Sequence, residues 1–256
     1  MSPVVSLGQL AADLRAGVLF CTRLPVPGAA TITGTDIARA GWALPVAGAI
    51  VGLIAALVYG LARLADVPPF PAAGLTVVAS LVVTGCLHED GLADLADSFG
   101  ASARERKLEI MRDSKIGTYG VCALFMSLLL RSGALASIAD PALAALVLVA
   151  AHMAGRAGMP LFMRLVPPAR ADGLSVGVGT PPRASAIAAL LIGMLALGVG
   201  LGPAAGVCAF ALIAVAFASL AWLSVRQIGG QTGDVLGGAE QVAETAILVL
   251  LAARIG

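Results

Sequence analysis

The sequence predicts an all-α fold, a polytopic integral membrane helical bundle of about six to seven spans with an N-terminal amphipathic interfacial helix. Three observations carry that reading. Of 256 residues, 59% are hydrophobic and 12% charged, with a mean hydropathy of +0.97, which is too apolar for a domain that must solvate its own surface. The apolar stretches are continuous and rich in Ala, Leu, Val and Gly instead of alternating, so spanning helices fit and an outer-membrane barrel does not. The charge is clustered: seven of the fifteen acidic residues fall between Cys86 and Gly120. Residues 1–256 read as one membrane-embedded catalytic domain, with an interfacial helix and loop over 1–40 and an acidic motif over 86–120.

A net charge of +1 supplies no basic field and 4% aromatic residues supply few stacking platforms, which argues against nucleic acid. Cys21, Cys86, Cys122 and Cys208 lie far apart, without a CxxC pair or a His at zinc spacing, and read as small reduced hydrophobes. Asp13 and Arg15 interrupt the N-terminal apolar run, so no cleaved leader is expected.

In chain order, residues 4–24 place Val4, Leu7, Leu10, Leu14 and Val18 at three- and four-residue spacing, with Gln9, Asp13 and Arg15 elsewhere on the helix. Pro25 and Pro27 stop it, leaving Thr22 and Arg23 as the first polar patch, which on its own is also what a helix stop with a snorkelling arginine looks like. Trp42 to Leu61 is free of charge and long enough to cross roughly 30 Å of hydrocarbon. Further spans are expected over 72–87, 119–138, 142–166, 184–201 and 204–225, with a short seventh over 242–253.

With the N-terminus inside, twelve of the sixteen Lys and Arg fall on the inner face and three, Arg63, Arg131 and Arg254, on the outer, while Arg156 lies within a span. The same threading puts TRLPVP, HEDGLADLAD, RDSKIGTYG, RADGLSVG and GGQTGD on the inner face. All elaborated loops on one side suit an enzyme, since a transporter needs polar groups at depth and access from both faces.

Asp90, Asp94 and Asp97, spaced i, i+4, i+7, project from one face if they are helical. Three carboxylates held together repel unless a cation compensates, and hard oxygen ligands suit Mg²⁺ or Mn²⁺. The plain alternative is a solvated acidic face offset by Arg104, Arg106 and Lys107. His88 reads either as a boundary residue or as part of the site. The run from Asp113 to Gly120 joins a carboxylate, Lys115, hydroxyls and two glycines ahead of a span, and can cradle phosphate or simply cap a helix. Within the fourth span, His152 and Arg156 stand one turn apart, and so deep an arginine needs a partner in the bundle. GGQTGD ends on Asp234, and Glu244, ten residues on and inside the last helix, needs a reason to be there.

Together these motifs resemble the cobalamin synthase family, the adenosylcobinamide-GDP ribazoletransferases. The likeness runs in the family's order from FCTRLPVPG through HEDGLADLADSFG, LEIMRDSKIGTYG and the arginine of AGRAG to GGQTGD, over most of the chain. It implies a Mg²⁺-dependent enzyme of the cytoplasmic (inner) membrane with its active site facing the cytoplasm. Such an enzyme transfers the adenosylcobinamide phosphate moiety from its GDP-activated form to α-ribazole or α-ribazole 5′-phosphate and releases GMP. On this resemblance Asp90, Asp94 and Asp97 match the metal carboxylates, with Glu89 and Glu244 joining them. Asp113, Lys115, Arg156 and Asp234 are further matching positions; of the candidate site residues, Asp113, Lys115 and Asp234 are read as catalytic and Arg23, His88, Arg112, Arg156, Gln231 and Thr232 as substrate-binding. Glu89 stands where the family pattern admits an apolar residue. The CDP-alcohol phosphotransferases share an aspartate-rich motif at a span end, but their second D-x3-D after D-x2-D-G-x2-A-R is missing, which leaves the general base open between Asp234 and Asp113. A lipid phosphotransferase and a cation transporter are the competing readings. Membrane lipid is an expected partner, and 31 glycines permit helix packing within a chain or between copies as a homo-oligomer.

Overall fold

The computed structural model describes residues 6–26 and 32–255. Val4, Pro27 and Gly28 of the motifs above, and residues 1–5, on which the expectation of an uncleaved leader also rests, lie outside that range. The described residues form helices and connecting turns. Six helical stretches are long and apolar enough to span, and a bent pair would make a seventh.

Helix α1 (Leu7–Cys21) opens on Ser6, whose hydroxyl accepts from the Gln9 amide, and precedes α2 (Gly34–Arg39), whose Thr33 and Asp36 form a reciprocal capping box. Contrary to its expected polar-face position, Asp13 is buried and accepts from Gln9 Nε2 (2.9 Å), Arg39 Nε (2.8 Å) and Trp42 Nε1 (3.0 Å). One carboxylate thus ties the surface helix to the first span, because a buried anion is stable only when donors surround it.

The first span, α3 (Leu44–Leu64), packs along α8 (Pro141–Ala157), the pair in closest extended contact. Gly48 and Gly52 permit it: a Cβ on Gly48 would lie 2.3 Å from the His152 carbonyl oxygen, and one on Gly52 2.6 Å from Val149 Cα. This is small-residue packing, in which two backbones approach because no side chain intervenes.

The second span departs from expectation. Helix α4 (Pro69–Thr84) stops at Gly85 and Cys86, both in the left-handed region (φ 65° and 58°), and α5 (Leu87–Ser98) leaves at 94° to it. An aspartate helix that simply continued the span would not meet the other loops; the turned one lies across the end of the bundle. After α6 (Arg104–Ile110), α7 (Thr118–Ala136) is the next span, then α8 with the short α9 (Met159–Leu165), α10 (Leu174–Val178), α11 (Arg183–Leu201) and α12 (Pro203–Ile228). The last helix, α13, runs Gly233–Ile255 and is a full span that begins at GGQTGD, not a short one from 242. Its added turns carry Glu240, which the shorter reading left in a loop.

Apolar side chains such as Leu53, Leu57, Leu191, Leu195, Val207 and Val215 point outward, while Arg131, Arg156 and Glu240 are buried. That reversal of soluble-protein order identifies an integral membrane protein. Arg131 therefore does not belong to the outer-face charges; it lies inside α7.

Gly48→Val is expected to lower the thermal stability of detergent-solubilised protein by about 1–3 kcal/mol, the typical cost of overpacking. Gly60→Ala, on the same helix with no neighbour within 4 Å, should leave the melting curve within about 0.5 kcal/mol of the parent.

Candidate active site

The five polar loops expected on one face do converge. Three adjoining cavities lie at that end of the bundle, and between them they take Arg23, Asp90 and Asp94 of α5, Asp113 and Lys115, Arg170 and Leu174, and Asp234. The largest is a cleft of about 530 Å³ whose polar wall is Glu89, Asp90, Asp94, Arg112, Asp113, Lys115 and Asp234. A second chamber of about 180 Å³ shares Asp90 and Asp234 with it. A third, of about 410 Å³, shares Phe20, Ile37, Leu87 and Leu174 with the second and holds Thr22 and Arg23 at its wall.

Two backbone contacts bring the acidic groups together. Helix α5 crosses the start of α13 at Gly91 and Gly237; a Cβ on Gly91 would meet the Asp234 carbonyl oxygen at 2.9 Å, and one on Gly237 the His88 carbonyl oxygen at 3.1 Å. Asp90 and Asp94, one turn apart on α5, thereby face Asp234. The 231 loop is held in turn by the 167–169 segment: the Gln231 amide donates to the Pro167 carbonyl (2.8 Å) and the Ala169 amide to that of Gln231 (2.9 Å). Thr232 is buried and its hydroxyl donates to Asp234 Oδ2 (3.1 Å), fixing that carboxylate.

Arg104, Arg106 and Lys107 do not offset the aspartates. Arg104 donates to the carbonyls of Ile228 (2.8 Å) and Ala169 (2.6 Å), Lys107 to Gln227 Oε1 (2.7 Å), and Arg106 pairs with Glu109. Arg112 pairs with Asp172 at the rim. Among the described residues no ion pair closes on Asp90, Asp94 or Asp113, and Asp234 has only Arg170 at 3.8 Å. Burial, then the neighbouring charges of Asp90 and Asp234, push the Asp94 carboxyl up to about 7. The cleft holds five carboxylates, Glu89, Asp90, Asp94, Asp113 and Asp234, against two cations, Arg112 and Lys115.

Asp97 has a different partner. Its two oxygens accept from the Gly117 amide (2.6 Å) and the Gly120 amide (2.8 Å), so it caps the N-terminus of α7. It shares the α5 face of Asp90 and Asp94, but the end of that face abuts the third span, and Asp97 does not line the cleft.

Glu244, His88 and Arg156 also stand apart from the cleft wall, in a buried network with Glu89, which lines both. Arg131 bridges Glu89 (3.2 Å) and Glu244 (3.0 Å); His152 Nδ1 lies 2.9 Å from Glu244; Arg156 lies 2.6 Å from Glu240 and 3.3 Å from His88 Nδ1. Helices α5, α7, α8 and α13 each contribute. His152, Glu240 and Glu244 converge closely enough to hold an ion, but the two guanidiniums already sit against those carboxylates, which explains Glu244 without a metal. Arg131 and Glu240 were missed by the sequence reading. The signal existed: Glu240 lies four residues before Glu244, on the same face of a helix, and Arg131 is a charge inside an apolar run.

Residues 13–252 match the protein-family model described as Cobalamin-5-phosphate synthase. Among curated proteins, the chain is similar to an adenosylcobinamide-GDP ribazoletransferase from Bradyrhizobium diazoefficiens at 52% identity, covering 97% of this chain and 96% of the relative. Proteins of the same name from Mesorhizobium japonicum (46%, covering 94% and 93%) and Azorhizobium caulinodans (43%, covering 96% and 98%) match over comparable lengths. No solved structure matches the chain.

Removing one member of the buried network should be costly. Arg131→Met is expected to destabilise by about 3–5 kcal/mol, since two carboxylates lose their shared cation, and adding Glu244→Gln should cost far less than the sum of the two single changes, read by thermal unfolding. Asp97→Asn should also lower the melting temperature, by about 0.5–2 kcal/mol for a lost cap.

Proposed function

The chain belongs to the cobalamin-5-phosphate synthase family, and from that premise we propose the chemistry of its cleft. The enzyme is a membrane transferase that joins adenosylcobinamide-GDP to α-ribazole, or to α-ribazole 5′-phosphate, giving adenosylcobalamin or its 5′-phosphate and GMP. The observation that carries the assignment of the site is the convergence of Asp90, Asp94, Asp113 and Asp234 with Lys115 and Arg112 on one cleft at the end of the bundle.

In this reaction a ribose hydroxyl attacks the phosphorus that bears the cobinamide. The bond from that phosphorus to the bridging oxygen breaks, and the oxygen leaves with GMP. The hydroxyl proton passes to a carboxylate. Negative charge grows on the phosphoryl oxygens and on the leaving group, so a competent site must supply cations and hold the two substrates in line.

Mg²⁺ is the cofactor we assign to the cleft. The residues fit it: Asp90 and Asp94 offer hard oxygens one turn apart beside Asp113 and Asp234, and among the described residues no ion pair neutralises Asp90 or Asp94. When bound, the ion would screen the pyrophosphate charge and stabilise the leaving oxygen. The remaining steps belong to the protein. Lys115, at the mouth, supplies a cation for the departing GMP, and Arg112 beside it orients the phosphates by a planar fork. Asp234, held by the Thr232 hydroxyl and near Arg170, is placed to accept the hydroxyl proton. Asp97, Glu89 and Glu244 serve the fold of the site and are not assigned to the metal. The orientation with this end facing the cytoplasm of an inner membrane follows the loop charge, and both substrates and Mg²⁺ would be met there.

The test is product formation by purified full-length protein in liposomes given adenosylcobinamide-GDP, α-ribazole and Mg²⁺. Adenosylcobalamin and GMP should appear together and stop on addition of a chelator. Asp94→Asn should lower kcat by roughly 100-fold or more while its melting temperature holds or rises. Full activity of that variant at saturating Mg²⁺, or turnover unaffected by chelator, would remove the metal assignment.

A further inference from the structure

The second chamber differs from the cleft in size and in lining. Its wall is mostly apolar, with Phe20, Met159, Met163, Leu174 and Val178 around a volume of about 180 Å³. A cavity of roughly 150 Å³ holds one benzene ring, so this chamber is of the scale of one small aromatic group, and it shares walls with the cleft and with the third cavity.

Two of its polar groups are unpartnered. His88 is buried, and its Nδ1 faces Arg156 Nη2 at 3.3 Å. Nδ1 also lies 3.5 Å from Glu240 Oε2; the guanidinium is the nearer group and can only donate, and with Nδ1 accepting from it the ring proton sits on Nε2. That Nε2 is buried without a hydrogen-bond partner, on a histidine that lines the chamber. Arg170, which also lines it, has Nη1 buried and unpaired. Buried donors left empty are costly, and these two line an apolar slot that Asp90 and Asp234 also line.

We propose that this chamber is the acceptor site, taking the benzimidazole base of α-ribazole edge-on to His88 and the sugar end towards Arg170 and Asp234. The proposal rests on the reaction assigned above and extends it to residues. His88 Nε2–H donates to the unsubstituted ring nitrogen of the base, Phe20 and Leu174 cover its apolar surface, and Arg170 holds oxygen on the ribosyl portion. The ribose hydroxyl then reaches the carboxylates common to both cavities. Asp113 lines only the cleft, so Asp234 is the carboxylate that receives the hydroxyl proton. The donor's pyrophosphate occupies the cleft from the Lys115 side, and the two substrates meet across Asp90 and Asp234.

Steady-state kinetics of the full-length enzyme in liposomes, varying one substrate at a time, test this. Val178→Trp, which fills the chamber, should raise the acceptor KM at least about tenfold and leave the donor KM within twofold. His88→Phe, which keeps the ring and removes the donor, should raise the acceptor KM about tenfold. Arg170→Gln should raise the KM for α-ribazole or for its 5′-phosphate, whichever oxygen Arg170 holds. Free benzimidazole should inhibit wild-type enzyme competitively against the acceptor and not against adenosylcobinamide-GDP, a readout that needs no variant to fold. A rise in the donor KM with an unchanged acceptor KM, or benzimidazole competing with the donor, would overturn the assignment. Equilibrium dialysis of α-ribazole against wild-type protein separates the two levels: binding lost in Val178→Trp supports the chamber even if no product forms, whereas absent turnover alone would count against the reaction.

Discussion

Everything at the polar-loop end of this protein depends on one buried set of ion pairs. Glu89, Arg131, Glu244, His152, Arg156, Glu240 and His88 join α5 to α7, α8 and α13 inside an otherwise apolar bundle. Glu240 and Glu244 lie about 10 and 16 Å along α13 from its first residue, at 1.5 Å per residue, a depth at which an unpaired charge would be prohibitive. Three carboxylates and two guanidiniums, with two imidazoles between them, pair with one another instead. Such a cluster gives little net stability compared with well-packed hydrocarbon, but it is directional. It admits one rotation of each helix about its axis, and so it determines which faces of α5 and α13 remain for the cleft.

That constraint explains why charge deep in the membrane does not imply transport here. Transport carboxylates must exchange partners as the site opens to each side, whereas these are held by arginines on neighbouring helices. The carboxylates without an ion-pair partner among the described residues, Asp90, Asp94 and Asp113, are at the loop end, in the same cleft as Arg112 and Lys115. Depth separates the structural charges from the chemical ones.

Much of this was legible in the sequence. Continuous apolar runs gave the spans to within a few residues for α7, α11 and α12, because bilayer thickness imposes length and composition together. The gathering of TRLPVP, HEDGLADLAD, RDSKIGTYG, RADGLSVG and GGQTGD followed from threading alone. What the sequence concealed is tertiary. Nothing local says that Asp13 will be met by Arg39 and Trp42, or that Asp97 will find the amides of Gly117 and Gly120. Glycine signals a break, but the 94° turn between α4 and α5 needs Cys86 as well as Gly85 in the left-handed region, a conformation that a cysteine rarely takes unaided. The extra turns of α13 were hidden because GGAEQ, poor in hydrophobic residues, spans no membrane by composition; it is helical because its polar residues are spent on partners inside the protein.

The motif HEDGLADLAD can therefore be understood as one short helix whose polar residues are allocated by direction. His88 and Glu89 point into the network that anchors the helix, Asp90 and Asp94 into the cleft, and Asp97 onto the start of the next span. Glycine at 91 lets α13 approach so closely that Asp234 joins from a different part of the chain. Spacing predicted a shared face for three aspartates, and the spacing is right; what divides them is which neighbour each turn of that face meets. A rigid helix held at both ends, by ion pairs at 88–89 and by a carboxylate cap at 97, keeps the two carboxylates between them at fixed separation despite their mutual repulsion. Positions between two anchors are where a protein can afford uncompensated charge, and that is where a phosphoryl-transfer site needs it.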